Sequence, residues 1–274
     1  MKIFVSTSLV IAFAFSSCNS QNTHVASIKS EARYVVDDSI KPKQMQPVSR
    51  QKKSYLTFVV NGVAFKMAKV KAGTFLMGCV NSQDSYGSEP PAHQVTLHKD
   101  YYIGTTEVTQ ALWKAVMKHN PSTFKGKNRP VEYISWDECQ LFLAKLNALS
   151  GQHFRLPTEV EWEFAARGGN NSCRYEYSGS DSISEVAWYD ENSHGKTHEV
   201  GKKKPNELGL YDMSGNVWEW CSDRTDDPVI GSNCVYRGGG WGYGEWTCTP
   251  SYYHIYPSDQ HSYYLGLRLA LSKE

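Results

Sequence analysis

Apolar and polar positions alternate on both sides of Asn61-Gly62, in Leu56-Thr-Phe-Val-Val60 and Val63-Ala-Phe-Lys-Met67. Period-two alternation is a strand pattern, and both central residues tolerate the positive φ of a type I′ turn, so the stretch predicts a β-hairpin. Val70 to Met77 and Val95 to Ile103 predict further strands, separated by the Gly- and Pro-containing loop around Asp84 to Pro91. The period then lengthens. Leu112, Trp113, Val116 and Met117 share one face of a helix opening at Thr109 and stopped by Asn120-Pro121. Ser135-Trp-Asp-Glu138 is a capping box, followed by Cys139, Phe142, Leu143, Leu146 and Leu149 at helical spacing. A second capping box, Thr158-Glu-Val-Glu161, opens a short helix that ends at Gly168-Gly169. Beyond it the periodicity fades, and Gly, Asn, Ser, Tyr and Trp dominate until Leu265 to Leu271, which predicts a buried final strand. Long irregular stretches stay ordered through internal packing or a metal, or serve as functional surfaces. No internal repeat or boundary interrupts the chain after Tyr55, so residues 55–273 are expected to form one domain.

The N-terminus follows another logic. Lys2, the apolar run Ile3 to Phe15 and the small residues of Phe15-Ser-Ser-Cys18 read as an export signal over residues 1–17, with an apolar core too short for a permanent membrane span. The Ser-Ser-Cys ending resembles a bacterial lipobox, which makes Cys18 the expected lipidation site. Residues 18–54 then form a polar tether, and the domain is expected to be held at a bacterial membrane, facing the periplasm. Six cysteines follow Cys18: Cys79, Cys139, Cys173, Cys221, Cys234 and Cys248. Export permits disulfides, but spacing does not assign pairs, and the lack of Cys-x-x-Cys removes the main support for zinc-ribbon or thioredoxin-like readings.

A net charge of +1 gives no basic surface for nucleic acid. The 8 Trp, 17 Tyr and 21 Gly argue for a loop-rich fold held by aromatic packing rather than a helical bundle. Chemistry is densest in Gly209 to Trp220. Asp212 and Glu219 supply hard oxygens, and Gly215 permits a tight turn. With the carbonyls of Met213, Gly215 and Val217 they make a plausible calcium cage, since calcium takes about six to eight oxygens. The alternative is a tight turn with two solvated acids leading into a core strand. Between Trp241 and Tyr264 lies a second concentration, of aromatics. Trp241, Tyr243, Trp246, Tyr252 and Tyr253 are candidate ligand contacts, because Tyr and Trp give rigid amphipathic area.

Four motifs in order carry a family likeness: Arg155-Leu-Pro-Thr-Glu to Gly169, Gly209 to Trp220, Arg237-Gly-Gly-Gly-Trp241 and Gly266-Leu-Arg268. The chain resembles the sulfatase-modifying-factor family, whose founding activity is the formylglycine-generating enzyme. The resemblance covers Val70 to Leu271. It implies a single α+β domain of C-type-lectin-like topology with little regular secondary structure, and structural calcium at Asp212, Met213, Gly215, Val217 and Glu219, with Asp212 standing where the enzyme has Asn. The enzyme holds copper(I) between two cysteines, and soft thiolates are what select that ion. Counted from Arg237-Gly-Gly-Gly240, the second cysteine position is Cys248, but the first is Tyr243; Gly240 replaces a serine and Gly244 an arginine. A phenol does not substitute for a thiolate. Two functions follow as expectations: a non-catalytic module recognising a protein, peptide or glycan, or an oxidoreductase making formylglycine with oxygen and copper, in which Cys248 is catalytic.

Overall fold

The computed structural model describes residues 55–79, 91–227 and 231–272. The expected export signal, Cys18, the tether and most of the Asp84 to Pro91 loop lie outside the described residues. Strands β1 (Tyr55–Val60) and β2 (Val63–Val70) pair antiparallel with Val60 opposite Val63, and Asn61 and Gly62 take φ of 48° and 79°. The predicted hairpin is present, with β2 running on to Val70. Strand β3 (Gly73–Met77) follows. The expected continuous strand over Val95 to Ile103 is instead two, β4 (His93–Leu97) and β5 (Tyr101–Gly104). Asp100 makes that break: its carboxylate accepts from the Ala72 amide at 2.9 Å and pairs with Lys69 and Lys71 at 3.0 and 2.8 Å.

Helix α1 (Gln110–Met117) is capped by the Thr109 hydroxyl. Both predicted capping boxes close, at Ser135 for α2 (Trp136–Ser150) and at Thr158 for α3 (Glu159–Ala166), satisfying amides that a helix start leaves unpaired. Trp113 of α1 stacks on Phe142 of α2 at 4.8 Å. Leu149 departs from the expected buried face and is 53% exposed. Strand β6 (Phe154–Arg155) and the single turn α4 (Ile183–Val186) precede the long hairpin of β7 (Trp218–Asp227) and β8 (Gly231–Arg237), with β9 (Tyr253–Pro257) beside it.

The predicted final strand is also divided. β10 (Leu265–Leu267) runs parallel to β7, while β11 (Ala270–Ser272) lies between β5 and β6. One sheet has the order β1-β2-β5-β11-β6, a second β10-β7-β8-β9, and β3 pairs with β4 alone. The chain changes sheet around Arg268, whose side chain is fully buried. One apolar core joins the inner faces of α1 and α2 to Trp218, Trp220 and Leu265 to Leu271; a second gathers α3 against β2 and β5. Among the described residues, no helix is long and apolar enough to cross a membrane.

Candidate functional site

The Gly209 to Trp220 segment is internal. Asp212 is 2% exposed, with φ of 55°; its Oδ2 accepts from the Gly201 amide at 2.7 Å, while Oδ1 has no partner. Gly215 donates its amide to the Gly238 carbonyl at 2.7 Å, and a Cβ there would come within 2.4 Å of the Trp188 carbonyl, so the turn admits only glycine. Glu219 is fully buried. Its carboxylate accepts from Arg268 Nη2 at 2.6 Å, Arg268 Nε at 2.8 Å and Trp162 Nε1 at 2.6 Å. The same guanidinium donates to the Gly104 and Tyr211 carbonyls at 2.8 Å each. One arginine thus ties β7, β5 and the Gly209 turn together just where β10 ends.

Glu107, which sequence reasoning passed over, completes this centre. It is 2% exposed; Oε1 accepts from Asn216 Nδ2 at 2.8 Å, Oε2 has no hydrogen-bond partner, and its carboxyl lies close enough to that of Asp212 for their charges to interact. Burial pushes the pKa of both upward, with the nearby Asp212 charge adding for Glu107, and Asp212 is pushed up to about 6. Three buried carboxyls, Glu107, Asp212 and Glu219, face one guanidinium. Fully ionised, the centre has a negative excess that burial penalises unless a proton or a cation offsets it. The unpartnered oxygens of Glu107 and Asp212 and this negative excess suit a hard cation. Glu219, committed to Arg268 and Trp162, has less to offer. Among the described residues no group of three or more His, Cys, Asp or Glu is placed to hold a metal, so an ion here would need backbone carbonyls such as those of Met213, Gly215 and Val217. Glu107 also borders a cavity of about 250 Å³ between β2 and the Gly104 to Thr109 segment.

Cys248 closes a short 3-10 turn, Glu245–Cys248, and is fully buried among Tyr177, Ile183, Val186, Ala187 and Tyr189. Its backbone carbonyl accepts from Ser214 Oγ at 2.7 Å. Burial pushes its thiol up to about 12, so at neutral pH it is protonated. Exposed Cys173 contrasts with it. Brief alkylation of the native, reduced protein at pH 8 should modify Cys173 at least about a hundredfold faster than Cys248, measured by peptide mass spectrometry. Equal rates would mean that Cys248 is an open thiolate.

Tyr243 points elsewhere. Its ring meets Trp218 at 5.4 Å and Tyr264 at 4.9 Å, both nearly perpendicular, and it belongs to the core of α1 and α2 rather than to the cluster around Cys248. Together with Trp218, Tyr236, Tyr256, His261, Ser262, Tyr263, Tyr264 and Leu265 it lines a cavity of about 320 Å³. Of the five candidate ligand contacts, Tyr243 alone lines this cavity. Trp241 stacks on Tyr264 at 4.6 Å behind the wall, Trp246 packs edge-on against Tyr252, which is buried, and Tyr253 lies under the Arg237 guanidinium. Trp218 and Tyr236 were hidden because they come from β7 and β8, whose pairing brings them to the C-terminal aromatics.

Residues 59–273 match the family model described as the sulfatase-modifying factor enzyme 1-like domain, and the chain belongs to that family. It is 36% identical over 231 residues to the "Chaperone protein LppX" of Paenibacillus barcinonensis, covering 65% of this chain and 79% of that one. It is 28% identical over 233 residues to the formylglycine-generating enzyme of Streptomyces coelicolor, covering 73% and 70%. Among solved structures, Treponema denticola variable protein 1 superposes with a TM-score of 0.71 at 34% identity, covering 80% of this chain and 99% of that one. The fold is the single α+β, C-type-lectin-like domain of the formylglycine-generating-enzyme type.

Proposed function

We propose that this chain is a non-catalytic binding member of its family, exported and lipid-anchored through Cys18, which recognises a protein, peptide or small ligand through its aromatic cavity. The observation that carries the reading is the separation of Tyr243 from Cys248. The residue at the first copper-ligand position is a phenol in the cavity wall, while the thiol at the second is buried and protonated in a different cluster. A two-coordinate copper(I) site needs two thiolates facing one point. Similarity to a protein named a chaperone supports binding over chemistry. We further propose structural calcium at Asp212 with Glu107 beside it, where the ion offsets buried charge.

A competition titration with a chromogenic copper(I) chelator tests the first part. The wild-type chain and Cys248→Ala should extract copper(I) equally poorly. A stoichiometric, tight site lost in Cys248→Ala would favour the oxidoreductase reading.

A further inference from the structure

The walls of the 320 Å³ cavity have an unusual composition. Trp218, Tyr236, Tyr243, Tyr256, Tyr263 and Tyr264 supply six Trp and Tyr rings, and no Lys, Arg, Asp or Glu lines it. The rings cross at steep angles: Trp218 meets Tyr236 at 87° and 5.0 Å, Tyr243 meets Trp218 at 87°, and Tyr264 meets Tyr243 at 77°. Stacked rings would present one flat platform, as a sugar face prefers. Rings at right angles enclose a space on several sides. Burial pushes the pKa of the Tyr236, Tyr243 and Tyr264 phenols upward, so these rings are neutral at physiological pH. The imidazole at the rim, His261, is held by Glu138 at 2.9 Å. The indole N–H of Trp218, itself 2% exposed, has no protein acceptor.

Faces of Trp and Tyr carry negative quadrupole potential, and an enclosure of them without a carboxylate attracts a cation that is large, weakly hydrated and poor at hydrogen bonding. A lysine-like ammonium would need acceptors that these walls lack. The volume is that of a small-molecule site rather than a macromolecular groove. Resting on the reading of this cavity as the ligand site, we propose that it binds a small soluble molecule bearing a quaternary or methylated ammonium group.

Isothermal titration of the purified full chain with choline tests this, beside 3,3-dimethylbutan-1-ol, its neutral isostere. Choline should bind at least about tenfold more tightly than the isostere. Tyr264→Phe, which keeps the ring, should retain binding, and Tyr264→Leu should lose about tenfold or more, with circular dichroism showing both variants folded. Equal binding of choline and the isostere would overturn the proposal, as would binding only to phosphatidylcholine vesicles. A panel of neutral sugars and free amino acids separates the two levels of the argument. A panel member that binds wild type but not Tyr264→Leu, with choline silent, keeps the cavity as a site and overturns the cation. Silence throughout overturns both.

Discussion

Replacing Arg268 by Met should destabilise the domain by about 3–5 kcal/mol, because truncating one partner of a buried ion pair leaves the other uncompensated. Here the cost falls on Glu219 and also on Glu107 and Asp212, for which this guanidinium is a nearby positive charge. Arg268 moreover satisfies the Gly104 and Tyr211 carbonyls, so its loss uncouples β5, β7 and the Gly209 turn. Denaturant unfolding of wild type and variant measures the change. Adding Glu219→Gln should recover part of the loss, since the buried charge is then removed along with its partner. A loss below about 1 kcal/mol in the single variant would show that the pair contributes little.

Calcium should raise the melting temperature of the wild-type chain, and chelation should lower it. At a free concentration about a hundredfold above the dissociation constant, a ligand confined to the native state adds about 2.7 kcal/mol. For a domain of this size each kcal/mol moves the midpoint by roughly 2–4 °C. Asp212→Ala removes both side-chain oxygens, and it should reduce the calcium response strongly. Glu107→Gln should weaken it as well. Identical melting in calcium and in chelator would contradict the ion and leave the Glu107 and Asp212 pair to be neutralised by a proton. Scanning calorimetry with matched ionic strength separates specific binding from screening.

Much of the fold was legible because its signals are local. Asn61-Gly62 states its turn in two residues, and the capping boxes at Ser135 and Thr158 name their helix starts in four, so each is recognisable without knowing what lies opposite. The misjudged elements depend on distant partners. The division of Val95 to Ile103 rests on Asp100 reaching the Ala72 amide across a chain reversal, and the division of Leu265 to Leu271 rests on a buried arginine inside an apolar run. An arginine amid leucines was the available clue: such a residue must meet a carboxylate, and Glu219 was already a candidate.

The site was legible in the same proportion. Tyr243 stood out because its position within Arg237 to Cys248 could be compared with a known chemical requirement. Glu107 could not stand out, since a single acid in Thr105-Thr-Glu-Val108 reads like any surface acid until the fold buries it. The cavity was foreseen as an aromatic surface, but its walls were not, because Trp218 and Tyr236 reach it only through the β7 and β8 pairing.

The account turns on the absence of paired thiolates, and its most direct test is the reaction itself. The purified chain would be incubated with a sulfatase-type cysteine peptide, copper(I), oxygen and a thiol reductant, and the peptide mass followed beside a Cys248→Ala control and an active formylglycine-generating enzyme. The prediction is an unchanged peptide with the wild-type chain while the active enzyme converts its share. Conversion of the cysteine to the aldehyde, lost in Cys248→Ala, would contradict it.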